Sequence, residues 1–384
     1  MNDELRAQFP ITQHSVYLNH AAVSPPPIST LQAIETQLRD VSSNGSVHYR
    51  SWLAVKEQTR QKLASLLGAR AEQVAFVRNT SDGLSTIANG MSWHSGDNIV
   101  TYRNEFPSNV YPWLRVQNSL GVELRICEDR DGRIDIEELT SLVDKRSRII
   151  AISHVQYASG YRSDLERLGR VARGHDALLV VDVIQSLGVI PIDVEAELVD
   201  VAAGAGHKWL LTPEGLGFLY MSDRARERIE PTLVGWTSVP NPEDYNNFSQ
   251  GWNKGSLAWE SGTAPTCLFY GLGASLDLLM EIGTGTVSEY LGNLTDYLCD
   301  LLEVSDYKVI SSRAKKEKSQ IVSIRNNRGI PAMRLFQNLR KQNIITAPRV
   351  AGLRIAPHVY NTTQDIHYLV DVLSSLSKNA MVSE

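Results

Sequence analysis

Four short segments of this sequence carry residue types suited to chemistry. In AGAGHKWLLTPEGLGFLY, Lys208 follows Gly204, Ala205 and Gly206, small residues that let a backbone come close to a ligand. A lysine in such a Gly-rich turn between two strands can be desolvated, which lowers its pKa and makes its amine a nucleophile toward a carbonyl, although most lysines are solvated surface charges. In LLVVDVIQS, Asp182 ends an apolar run, and a carboxylate buried there needs a partner. Capping the following helix is one solution; a protonated pyridine nitrogen is another. In FVRNTSDGLSTIANG, Thr80 and Ser81 stand where a strand gives way to a helix. A helix N-terminus with hydroxyls binds phosphate, although plain N-capping uses the same residue types. In TYRNEFPSNVYPW, Phe106 offers a ring that either stacks on a flat ligand or packs in the core.

An activated amine, a carboxylate for a ring nitrogen, a phosphate cradle and a stacking ring together describe a site for pyridoxal 5'-phosphate (PLP), with Lys208 as its Schiff-base lysine. The elements that must position them follow from apolar patterning. The runs Val74–Arg78, Asn98–Tyr102, Val122–Cys127, Arg148–Ser153, Ala177–Asp182, Val199–Ala203 and Leu216–Met221 read as strands. Several lack polar alternation, as expected of strands covered on both faces. Between them lie helical patterns such as Ser163–Arg173. This βαβ rhythm predicts an α/β fold with a mainly parallel seven-stranded sheet and helices on both faces, whose ligands bind at the carboxyl ends of the strands. After about Pro231 the rhythm changes: Thr237–Gly255 reads as a loop, Leu268–Ile282 as a helix, and the remainder as a smaller α+β unit with frayed final residues. The expected division is a large cofactor-binding domain over 15–263 and a small C-terminal domain over 264–384, joined by the N-terminal segment 1–14.

The chain of 384 residues has 42% hydrophobic and 21% charged residues and a formal net charge of −5. Those values suit a globular protein and argue against nucleic acid as a partner. MNDELRAQFP lacks the pattern of a signal peptide, and no stretch approaches the roughly 20 apolar residues of a membrane helix. Cys127, Cys267 and Cys299 show no metal-ligand or disulfide spacing. A cytoplasmic protein with reduced thiols and no bound metal is expected.

Over YLNHAAVSPPP near residue 17 through LRIAPHVYNTTQDI near residue 366, the sequence resembles the class V aminotransferase family of fold-type I PLP enzymes. That family includes cysteine desulfurases, carbon–sulfur lyases, isopenicillin-N-epimerase-like proteins and aminotransferases. The most specific part is Asp182 and Gln185 in a DxxQ pattern, followed by Gly206–His207–Lys208. The resemblance implies Lys208, Asp182 and His154 as the catalytic set, with His154 beneath or beside the cofactor ring. It implies that Gln185 hydrogen-bonds the phenolic oxygen, that Phe106 stacks, and that Thr80, Ser81 and His207 bind phosphate. Thr263, in WESGTAPT, would reach the phosphate of a neighbouring subunit, which implies a homodimer with shared sites. Arg354 would take the α-carboxylate of an amino-acid substrate.

Two departures bear on the reaction. Cysteine desulfurases carry a persulfide-forming cysteine on a loop shortly before the carboxylate-binding arginine, and here that region reads KQNIITAPRVAGLR. Desulfurase activity is therefore disfavoured, and aminotransferase, carbon–sulfur-lyase or epimerase-like chemistry at Cα is expected instead. Tyr157 also replaces an amide-type residue. For the substrate side chain the candidates are His48, Arg50, Tyr157 and Trp236. The competing classes are a non-catalytic PLP-fold binding protein and a nucleotide-binding oxidoreductase. The second is opposed by the absence of GxGxxG and GxxxxGK[ST].

Overall fold

The computed structural model describes residues 3–380; the final residues expected to fray, 381–384, lie outside them. The central sheet holds seven strands: β1 (Val74–Val77), β2 (Asn98–Tyr102), β3 (Glu123–Cys127), β4 (Ser147–Ser153), β5 (Leu178–Asp182), β6 (Val201–Ala205) and β7 (Gly217–Met221). Their spatial order is β1-β7-β6-β5-β4-β2-β3. Only β7 runs antiparallel to its neighbours. All seven expected strands are present, within two residues at each end. Their unbroken apolar runs have the anticipated cause. In β5, Leu179 and Val181 enter one core while Leu178 and Val180 enter the core on the opposite face.

Register brings one edge of the sheet together. Ser153 pairs with Asp182, Asp182 with Ala203, and Gly217 with both Ala205 and Val77. The segments after β1, β2, β5 and β6, which carry the candidate residues, all leave from this edge. Gly204 and Gly206 are small for a reason other than ligand approach. A Cβ on Gly204 would lie 2.5 Å from the Phe218 ring, and one on Gly206 would lie 2.0 Å from the Thr212 hydroxyl. Both positions are closed by the protein itself.

A second sheet contains β8 (Tyr307–Val309), β9 (Val322–Asn326), β10 (Ala347–Arg349) and β11 (Gly352–Ile355), in the antiparallel order β8-β9-β11-β10. It has its own core, in which Val322, Ile324, Leu353 and Ile355 pack against Leu298 and Leu369 from flanking helices. The helix Thr266–Ile282 belongs elsewhere. Its Phe269, Leu272, Leu276 and Leu279 enter the core of the large sheet. We propose that the domain boundary follows this helix, near Gly283, rather than falling at 263/264.

The edge strand β1 is held by a buried ion cluster. Glu260 accepts hydrogen bonds from Arg60 Nη1 at 2.5 Å, Lys56 Nζ at 2.5 Å and the Phe76 amide at 2.8 Å. Arg60 also donates to the Val74 carbonyl and lies over the Phe76 ring. Removing one member of such a cluster strands a desolvated charge. Glu260→Ala is therefore expected to destabilise the fold by about 3–5 kcal/mol, read as a lower midpoint in urea unfolding. An unaltered midpoint would show that the cluster does not hold β1.

Candidate active site

The turn after β1 leads into an eleven-residue helix, Thr80–Gly90. Its N-cap is Asn79, whose side chain accepts a hydrogen bond from the Asp82 amide at 3.0 Å. Capping thus falls to Asn79, and Thr80 and Ser81 occupy the first turn with their hydroxyls released from that task. Ser81 Oγ donates to Ser108 Oγ at 2.7 Å. Thr80 is buried, and its hydroxyl has no hydrogen-bond partner within the protein. An orphaned buried hydroxyl at a helix N-terminus fits a phosphate oxygen.

Thr80, Ser81, Phe106, Asp182, Gln185, His207, Lys208 and Arg354 all line one cavity of about 360 Å³. Lys208 is 7% and Asp182 2% exposed. Burial lowers the Lys208 pKa and raises that of Asp182, and each charge partly offsets the other's desolvation. One Asp182 oxygen accepts the Ile184 amide at 2.9 Å, so the carboxylate does cap the following turn. Its buried charge still calls for a cation, and a protonated ring nitrogen would supply one. The Lys208 ammonium lies 5.3 Å from the centroid of the Phe106 ring, which meets Tyr157 edge-on at 5.1 Å. Burial, with Lys208 alongside, pushes His207 down to about 4, leaving a neutral imidazole at neutral pH.

Arg354 is 1% exposed. Its Nη1 donates to the Tyr157 carbonyl at 2.9 Å and its Nη2 to Asn19 Oδ1 at 3.1 Å, whereas Nε has no partner. Burial and the neighbouring Arg349 push its pKa down to about 9. An anionic ligand would reverse both penalties. The donor set fits PLP: hydroxyls at a helix N-terminus for phosphate, a buried carboxylate for the ring nitrogen, and a desolvated amine for the aldehyde.

Other expected residues sit differently. The His154 ring is fully buried outside the cavity lining, and burial pushes it down to about 3. Its backbone donates to the Asp182 carbonyl, which fixes β4 beside β5. The Gln185 amide is already engaged at both ends, donating to the Ala21 carbonyl and accepting from the Trp209 indole. Its second Nε2 hydrogen is left as a donor for a ligand. Thr263 is exposed and lies outside the cavity of its own chain. Of the four side-chain candidates, Tyr157 lines the cavity; His48, Arg50 and Trp236 do not, and His48 is paired with Asp40.

Two contributors escaped the sequence reading. Glu105 is buried and accepts from the Ser153 amide and hydroxyl, Gln156 and Asn109, so it ties the Phe106 segment to the end of β4. Arg349 lines the cavity five residues before Arg354, across the tight β10–β11 hairpin. The spacing of two arginines across APRVAGLR was the available signal.

Among the described residues no cysteine lines the cavity. All three thiols are free; Cys127 and Cys299 are buried, and burial pushes them up to about 12 and about 11. No cluster that could hold a metal ion occurs among the described residues. None of their helices is long and apolar enough to cross a membrane.

The profile of the family described as Aminotransferase class-V matches residues 16–369. A probable cysteine desulfurase of Methanothermobacter thermautotrophicus is 27% identical, covering 98% of each chain. A cysteine desulfurase of Escherichia coli strain SE11 is 31% identical, covering 78% of this chain and 77% of its own. Among solved structures, the apo cysteine desulfurase of Thermococcus onnurineus NA1 superimposes with a TM-score of 0.90 at 25% identity, over 99% of both chains. The cystine C–S lyase C-DES, in complex with its reaction product cysteine persulfide, shares the fold at a TM-score of 0.87 and 23% identity, over 96% of this chain and 99% of its own. With the family matched along nearly its whole length and the cavity furnished for the family's cofactor, this chain belongs to the class V aminotransferase family of PLP-dependent enzymes.

Proposed function

We propose that this protein is a lyase that breaks the Cβ–S bond of a cysteine-type amino acid and releases the sulfur as a small molecule. The observation that carries this reading is the absence of a thiol from the cavity. The hairpin between β10 and β11 turns through Val350 and Ala351 alone. No room is left there for a loop presenting a sulfur-accepting cysteine. The relatives named as cysteine desulfurases support a sulfur-bearing substrate, and a family fold without the relay thiol supports direct release.

In this reading Thr80, Ser81 and His207 hold the phosphate, Asp182 the ring nitrogen, and Lys208 the aldehyde carbon. Phe106 and Gln185 flank the ring. When bound, the cofactor withdraws electrons from the substrate Cα. Arg354 grips the α-carboxylate through its free Nε, which fixes the Cα–H bond relative to Lys208. The Lys208 amine, its pKa lowered by burial, takes the Cα proton in its uncharged form. The Cβ–S bond then breaks with its electron pair on sulfur. Water completes the release of pyruvate and ammonia. We further propose a homodimer in which the exposed Thr263 reaches the partner's phosphate site. Exposed Trp236, Tyr245, Phe248 and Trp252 on the preceding loop support an apolar contact there.

The test is product identification with the PLP-loaded protein and L-cysteine, L-cystine and their S-substituted analogues. Pyruvate, ammonia and a free thiol, sulfide or persulfide are expected, with no persulfide on Cys127, Cys267 or Cys299 by mass spectrometry. A keto acid that retains its sulfur, or an inverted stereocentre, would overturn the reading.

A further inference from the structure

We infer that Arg349 selects substrates whose leaving sulfur carries a second acidic group, such as a distal carboxylate or sulfonate. This inference rests on the lyase reading for its chemistry, and on the cavity alone for the recognition itself.

Arg349 ends β10 and faces the same cavity as Lys208 and Arg354. Its hydrogen bond within the protein is to the carbonyl of its own neighbour Pro348, at 2.8 Å. Among the described residues neither Arg349 nor Arg354 joins an ion pair, whereas Arg78, Arg103 and Arg125 at the large sheet each have a carboxylate partner. Arg349 is half-buried, and its charge adds to the field that lowers the Arg354 and Lys208 pKa values. A desolvated guanidinium without an anion is costly to keep.

The cavity is lined by Lys208, Arg349 and Arg354 against the single carboxylate of Asp182. The ring nitrogen engages Asp182, the helix N-terminus takes the phosphate, and the substrate α-carboxylate engages Arg354. Arg349 is left over. A two-residue turn joins β10 to β11 and pairs Arg349 with Gly352 and Ala347 with Arg354. Both side chains therefore start from one face of the hairpin and, with Tyr157, line the same cavity. A substrate with acids at both ends fits this arrangement. L-cystine and S-sulfo-L-cysteine are of that class, whereas L-cysteine and S-methyl-L-cysteine are not.

Binding can be measured without turnover, by titrating the PLP-loaded protein with L-glutamate and its near-isostere L-glutamine and following the visible absorbance of the cofactor. The expected preference for the distal carboxylate is about 10- to 100-fold. It should collapse in Arg349→Met and be partly restored in Arg349→Lys. The ratio of kcat/KM for S-sulfo-L-cysteine over S-methyl-L-cysteine should fall in parallel. Equal weakening of glutamate and glutamine in Arg349→Met would overturn the inference, because both arginines would then clamp one α-carboxylate. If the binding preference holds but no sulfur substrate yields pyruvate, the lyase reading fails and the recognition by Arg349 stands.

Discussion

Lys208→Ala is expected to reduce turnover by at least about 10⁴-fold, the upper range for loss of a positioned general base. Two properties of the site support so large an effect. Lys208 is the amine in the cavity, and at 7% exposure water cannot readily reach Cα to replace it. The same burial lowers its pKa toward neutrality, so the wild-type base is available at the pH where an exposed lysine would be protonated. The variant should still bind the cofactor through its phosphate, because Thr80, Ser81 and His207 are untouched. A small primary amine added to Lys208→Ala should recover part of the lost rate, since the deletion leaves room for one. Borohydride treatment of the wild type should fix the cofactor to a peptide containing Lys208. Label on another lysine, or turnover in Lys208→Ala within about tenfold of the wild type, would remove Lys208 from its proposed role.

How much of this was legible in the sequence depends on the range of the interaction concerned. The strands could be read because an apolar run such as LLVVD is itself the record of cover on both faces. The shared sheet edge followed from their order, which is why Thr80, Phe106, Asp182 and Lys208 were correctly expected in one place. Where a side chain points after a strand ends is a different matter. His154 follows β4 beside Asp182, yet its buried ring is not among the residues that line the cavity. Gln185 keeps its expected place, yet both ends of its amide are occupied by Ala21 and Trp209. Gly204 and Gly206 looked like space for a ligand; they are space for Phe218, a neighbour only when β7 pairs with β6, and for Thr212 in the turn after β6. Arg349 went unread although both arginines of APRVAGLR were in view. Its importance comes from a hairpin that sets it against Arg354, not from its own surroundings in the chain.

Asp182→Asn is expected to lower turnover by about 10²- to 10³-fold with little change in stability, and the contrast decides between two roles for this residue. As a turn cap, Asp182 needs only an oxygen to accept the Ile184 amide at 2.9 Å, and an asparagine provides one of the same shape. As the partner of a protonated ring nitrogen it needs a negative charge, which asparagine lacks. Burial makes that charge expensive in the absence of a cation and pushes the carboxyl pKa upward, so a structural cap alone gives no reason to prefer aspartate over asparagine. Removing the charge also removes the anion that raises the pKa of Lys208. The rise of Lys208 reactivity with pH should therefore begin at lower pH in Asp182→Asn. Asp182→Ala should lose both functions, adding a stability cost of roughly 1 kcal/mol for the cap to the loss of activity. If Asp182→Asn instead kept wild-type turnover, the carboxylate would be no more than the end of a strand.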